Sequence, residues 1–262
     1  MNQYNNWTLE EDGHVAALTL SREHKMNNLT METLVELREI SEYLAGRSDI
    51  WVVVVCGQGE HFSSGMDLNI FVERLDGTKD DLREFMHDQQ RCLDAFEALE
   101  KVTIARLHGF CIGGGLMIAM CCDFRIASKR TIFSLPEIRL GIPITWGTGR
   151  VSRLIGVPRT KEMILLGKRY RANDALEMGL VHQVVQAEKL DRTVENLVER
   201  LLRLPPRTLG AAKRIVNHSV DLSLEENQEL ELDVLDGLLD SPDLREAIES
   251  FTENRPPKFS GI

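Results

Sequence analysis

The chain has 262 residues, of which 43% are apolar and 27% charged, with a formal net charge of −10. Such a length buries a core large enough for one big domain or two small ones. The acidic balance argues against nucleic acid or an acidic membrane surface as the main partner, while leaving room for a local basic groove that takes a phosphorylated ligand.

The opening segment, MNQYNNWTLEEDG, has neither the basic start nor the apolar core of a secretory leader. From His14 to Ser21, HVAALTLS predicts a strand. Thr30 to Gly46 carries apolar residues at helical spacing and ends on a glycine suited to a left-handed cap. Trp51 to Gly57, WVVVVCG, is a β-branched run that predicts a strand buried on both faces. An amphipathic helix is predicted from Asp81 to Glu100 and a strand from Val102 to Gly109. The glycine run Gly113–Gly115 and an apolar helix follow. Short strands are predicted at Asp123–Ser128 and Thr131–Ser134. After about Gly147 the pattern becomes helical, over 149–156, 158–167 and 172–179, then from about Glu188, Pro205, Ser223 and Pro242. Leu180–Val185 is the one strand expected there. Alternating strands and helices followed by a helical tail indicate an α/β core over 1–195 and a helical C-terminal module over 196–262.

Cys56, Cys92, Cys111, Cys121 and Cys122 show no C-x-x-C spacing, so no metal or redox site is expected. Buried reduced thiols and a cytoplasmic location fit them better. No apolar run is long enough to span a bilayer, so no membrane association is expected.

The stretch GFCIGGGLMIAMCCD, from Gly109 to Asp123, places glycines between a strand and a helix. Glycine permits a tight turn and close ligand approach, and the first N–H groups of the helix lack intrahelical partners. A phosphate loop, an oxyanion site or a plain structural turn all have this form. The segment lacks the lysine and hydroxyl of a P-loop and the spacing of a dinucleotide fingerprint. A second small-residue turn, Ser63–Ser64–Gly65, follows the strand at 51–57. Two such turns can each offer one N–H to the same carbonyl oxygen, as in a two-donor oxyanion hole.

Several segments taken in order resemble the crotonase (enoyl-CoA hydratase/isomerase) superfamily over nearly the whole chain. They are REHKMNNL (Arg22 to Leu29), HFSSGMDL, ARLHGFCIGGGLMIAMCCDFRIAS, FSLPEIRLGI (Phe133 to Ile142) and EAIESFTENRPPKF. The resemblance implies a spiral of strand–strand–helix units with a helical C-terminal module. It implies an acyl-CoA thioester substrate, with coenzyme A present as part of the substrate and no covalently bound cofactor. It implies a homotrimer or a dimer of trimers. The backbone N–H groups of Met66 and Gly114 are the implied oxyanion pair, set among Ser64, Gly65, Leu68 and Gly113. Arg22 and Lys25 are candidates for the nucleotide end of CoA, or solvated loop charges. Asp67 is expected to cap the helix after its loop, and Asp123 to be a structural carboxylate. His61 and His108 match no catalytic position of the family and are expected to be structural or superficial.

The chain departs from the hydratase pattern at one position. Hydratases of the superfamily hold water between two glutamates. One corresponds to Glu137; the other, two residues after the third glycine, is Met117 here. A thioether neither orients water nor moves protons. One base suffices to shift a double bond, taking a proton from C2 and returning it to C4. EIRLGIPITW (Glu137 to Trp146) is similar to the corresponding stretch of the family's Δ3,Δ2-enoyl-CoA isomerases. Trp146 is then a wall of the acyl pocket, or a core residue. Apolar surroundings are expected to raise the Glu137 pKa. The leading expectation is an enoyl-CoA isomerase. A one-glutamate hydratase, a thioester hydrolase or decarboxylase, and a non-catalytic CoA-ester-binding protein are the alternatives.

Overall fold

The structure is a computed structural model and describes residues 4–262 except Glu73 and Leu75. The chain opens with β1 (Trp7–Asp12), turns at Gly13 with φ +55°, and returns antiparallel as β2 (Val15–Leu20). Helix α1 (Met31–Ala45) follows. Its cap is Thr30, whose hydroxyl accepts from Thr33 N–H while Thr33 Oγ1 accepts from Thr30 N–H. The left-handed cap expected at Gly46 is not formed, since this glycine has φ −77°. Instead the chain tightens into the next turn, with Gly46 N–H donating to Tyr43 O and Arg47 N–H to Leu44 O.

Next come β3 (Val52–Gly57), the single-turn α2 (Asn69–Val72), α3 (Lys79–Glu97), β4 (Val102–Leu107), β5 (Phe110–Ile112) and α4 (Gly114–Met120). Helix α3 begins before the expected Asp81, because Thr78 caps it and the Asp81 carboxylate accepts from Thr78 N–H. Strands β6 (Phe124–Ser128) and β7 (Ile132–Ser134) lead to α5 (Thr148–Leu166), which breaks at Gly156 (φ 74°, ψ 160°) between the two helices read from the sequence. Then follow β8 (Tyr170–Arg171), α6 (Ala172–Glu177), β9 (Gln183–Val185), α7 (Leu190–Leu201), α8 (Pro206–Ser219), α9 (Leu224–Asp236) and α10 (Pro242–Thr252).

Among the described residues, one sheet runs β1-β2-β3-β4-β6-β9, parallel except for β1, and a smaller one runs β5-β7-β8. Both faces of the large sheet are covered, as a parallel sheet with apolar strands requires. One core joins β2 and β3 to α1, α3 and α4 through Leu18, Val53, Leu37, Phe96 and Leu116. The other joins Val52, Val102 and Ile104 to Leu190, Val194 and Leu201 of α7. The boundary expected between residues 195 and 196 therefore falls inside α7, a helix seated on the sheet. No helix among the described residues is long and apolar enough to cross a membrane.

Candidate active site

Two turns lie side by side because their leading strands are zipped together. Ser63 N–H donates to Phe110 O (2.8 Å), and Ile112 N–H donates to Ser63 O (3.1 Å). Two residues after Ser63 and one after Ile112, each segment turns on a glycine at positive φ: Gly65 at +95° and Gly113 at +54°. A Cβ built on Gly65 would lie 2.9 Å from Ile112 O and 3.6 Å from Gly113 Cα. The turns touch, and side chains there would force them apart.

Buried polar groups hold the first turn from behind. Asn27, fully buried at φ +52°, donates through Nδ2 to Gln58 O (2.8 Å) and His61 O (2.7 Å). Ser63 Oγ donates to Asn27 O and accepts from Gly65 N–H. Leu29 N–H donates to Gly65 O, Asp67 N–H to Leu29 O, and Ser64 N–H to Met26 O. Met66 N–H, between these bonds, donates to no other group among the described residues. In the second turn Gly113 N–H donates to Ser134 O, whereas Gly114 N–H, at the first position of α4, likewise has no acceptor among the described residues. Both N–H groups named from the sequence are thus left unspent by the fold.

Glu137 begins a 3-10 turn (Glu137–Leu140) after β7. Its carboxylate reaches Gly113: a Cβ on that glycine would stand 2.7 Å from Glu137 Oε1. Oε2 is buried and has no hydrogen-bond partner among the described residues. Burial pushes the Glu137 carboxyl above the ordinary carboxylate range, only partly opposed by its own backbone N–H. A raised, half-satisfied carboxyl beside two unspent N–H groups is suited to accept and return a proton.

Met117 has no exposed surface and belongs to the main core. Its sulfur packs against Gly147. Trp146 covers Gly114, with Cη2 and Cζ2 each 2.9 Å from where a Cβ on that glycine would lie; Leu29 Cδ1 is 3.1 Å away. Trp146 is a buried core residue whose ring lies over the Gly114 turn.

The remaining residues are spread out. Asp67 Oδ1 accepts from Asn69 N–H at the head of α2, and Oδ2 accepts from Asn28 Nδ2, so it caps as expected. Leu68 is exposed. Arg22 is directed into the fold, where Nη1 donates to Asn6 Oδ1 (2.9 Å) and Thr30 Oγ1 (3.4 Å); Lys25 is exposed on its 3-10 turn. His61 stacks on Phe110, with ring centroids 4.3 Å apart, and His108 pairs with Gly59 O. Burial lowers the His108 pKa. Asp123 accepts from Thr103 N–H and Oγ1 and pairs with Lys213 at 3.0 Å, a structural junction. The sequence pattern does not single out Asn27 or Gly147 as site builders, and shows Ser63 only as part of its small-residue turn. For Asn27 a signal was present, the asparagine that closes the Arg22-x-x-x-x-Asn27 spacing.

This mixed α/β spiral with a helical C-terminal region is the crotonase fold. The chain belongs to the enoyl-CoA hydratase/isomerase family, which it matches over residues 10–261. It is 32% identical to the short-chain-enoyl-CoA hydratase of Clostridium acetobutylicum, covering 97% of each chain. It is 29% identical to the peroxisomal Delta(3,5)-Delta(2,4)-dienoyl-CoA isomerase of Arabidopsis thaliana, over 96% of this chain and 94% of the other. The crystal structure of an enoyl-CoA hydratase from Bacillus anthracis superposes with a TM-score of 0.91 at 30% identity, over 98% of this chain and all of the other.

Proposed function

We propose that the protein isomerises 3-enoyl-CoA to 2-enoyl-CoA. The thioester carbonyl oxygen accepts from Met66 and Gly114 N–H. Glu137 removes a proton from C2, and the electrons move onto that oxygen as a dienolate. The same carboxyl then returns the proton to C4, leaving the double bond conjugated with the thioester. Atoms and charge balance with no other reactant. One oxyanion donor contributes about 10²–10³ in turnover, and the positioned base about 10²–10⁴.

The observation that carries this reading is the pairing of a raised Glu137 carboxyl, its Oε2 unpartnered among the described residues, with a fully buried thioether at residue 117. The site offers one proton carrier and an apolar wall, which supports proton transfer over addition of water. The test is to supply 3-enoyl-CoA and follow the conjugated thioester by absorbance.

The hydratases among the relatives support a second reading, hydration of 2-enoyl-CoA with Glu137 alone. The same assay separates the two when run with both substrates. Assembly into trimers belongs to the proposal. Leu224, Ile248 and Phe251 on the C-terminal helices are exposed at 76%, 60% and 89%, an apolar surface of the kind that protomers cover. Light scattering in solution measures it.

A further inference from the structure

Gly147 stands just before α5 with φ −163° and ψ −3°. That φ lies outside the positive range that favours glycine, so handedness does not demand glycine there. The surroundings do. A Cβ built at 147 would overlap Met117 Sδ and lie 2.9 Å from Met117 Cε and 3.1 Å from Cγ. The glycine's missing side chain is the space that the thioether fills.

Residue 147 has little freedom to retreat. The neighbouring Trp146 ring is pressed on Gly114, and α3 tethers the segment from outside. Gln90 Nε2 donates to Thr145 O (2.7 Å). Arg150, one turn into α5, donates to Glu97 through Nε (2.8 Å), to Asp94 through Nη2 (2.5 Å) and to Trp146 O through Nη1 (3.5 Å). Glu137, Trp146 and Gly147 thus lie against Gly113, Gly114 and Met117, on successive parts of one turn and helix.

We propose that Gly147 is a specificity-determining residue. By lacking a Cβ it admits the Met117 thioether into the wall, and so keeps that side of the site apolar. A methyl at 147 displaces the sulfur or shifts α4. Because Met117 N–H is bonded to Gly113 O, either change reaches the turn that carries Gly114 N–H. The product assignment rests on the isomerase reading; the steric coupling does not.

Four proteins test this: wild type, Gly147→Ala, Met117→Ala and the double variant. Each is assayed for turnover of 3-enoyl-CoA, for the ratio of conjugated isomer to hydrated product, and for thermal unfolding. Overpacking of this kind costs Gly147→Ala about tenfold or more in turnover. The double variant recovers to within about threefold of Met117→Ala, since the second methyl then has room. The isomer-to-hydrate ratio falls in Met117→Ala, where the emptied wall admits water, and climbs back in the double variant as the methyl added at position 147 refills it. A residue that only supports the fold does not move that ratio. The proposal is overturned if Gly147→Ala matches wild type, if the double variant is no better than Gly147→Ala, or if the ratio is the same in all four. Should Gly147→Ala fail to fold, a folded and active double variant supports the coupling, and an unfolded one overturns it. A wild type that hydrates 2-enoyl-CoA and leaves 3-enoyl-CoA untouched removes the isomerase reading alone; the rescue is then read on hydration.

Discussion

The Glu137 carboxylate lies directly against Gly113: a Cβ on the glycine would be 2.7 Å from Oε1. Gly113 also holds φ +54° and ψ −124°, a conformation that costs other residues about 1–3 kcal/mol. Gly113→Ala is therefore expected to lose at least about 10² in turnover by moving the base and the Gly114 N–H together. Steady-state kinetics with a circular dichroism control checks this. Full activity in the alanine variant would detach Glu137 from the turn.

Glu137→Gln keeps the shape of the side chain and removes the base. Turnover is expected to fall by about 10²–10⁴, with acyl-CoA binding by calorimetry near that of wild type. Activity that survives the change would place the base elsewhere.

The same carboxyl gives a pH signature. Its folded pKa is raised by burial above the unfolded value, so the folded state holds the proton more tightly. The stability this contributes is full below the unfolded pKa and is lost as pH rises through the folded pKa. Glu137→Gln should therefore melt higher than wild type at neutral pH, and the gap should close on acidification. The acid limb of turnover should lie above the ordinary glutamate value of about 4.3. Melting curves of both proteins across pH, and a pH–rate profile, measure these; a gap that widens in acid would reverse the sign of the shift.

Met117→Glu returns a second carboxylate to the position beside Gly147. It is expected to gain hydration of 2-enoyl-CoA, because a group that orients and deprotonates water is then present. Chromatographic detection of the 3-hydroxyacyl product decides it, and an unchanged hydration rate would show that residue 117 does not govern access of water.

Asp123 serves the fold. Removing it takes the counter-charge from Lys213, which keeps its hydrogen bond to Lys101 O, and leaves two Thr103 donors unpaired in a partly buried junction. Asp123→Ala is expected to cost about 3 kcal/mol of stability, while the folded fraction keeps its specific activity. Chemical denaturation and active-site-normalised rates report the two effects separately.

What the sequence made legible follows from how local each signal is. The Val52–Gly57 run, the helical spacing that starts at Thr30 and the break at Gly156 act over a few residues, and each element formed where its signal lay. Glu137, Met66 and Gly114 were legible only through ordered motifs, since spacing alone does not say that residues 65 and 113 touch. Strand β1 escaped because it is an edge strand with Trp7 as its one buried residue. Strands β5 and β8 are too short to carry a period. Gly46 was misjudged because a glycine after a helix can close it without the left-handed conformation. Asn27 and Gly147 act through partners about 30 residues away, Gln58, His61 and Met117, which no local pattern displays.

The most direct measurement is the absorbance of the conjugated thioester after 3-enoyl-CoA is mixed with wild-type protein and with Glu137→Gln. We predict that wild type forms 2-enoyl-CoA and that the glutamine variant does not. Unchanged 3-enoyl-CoA with wild type, alongside ready hydration of 2-enoyl-CoA, would contradict it.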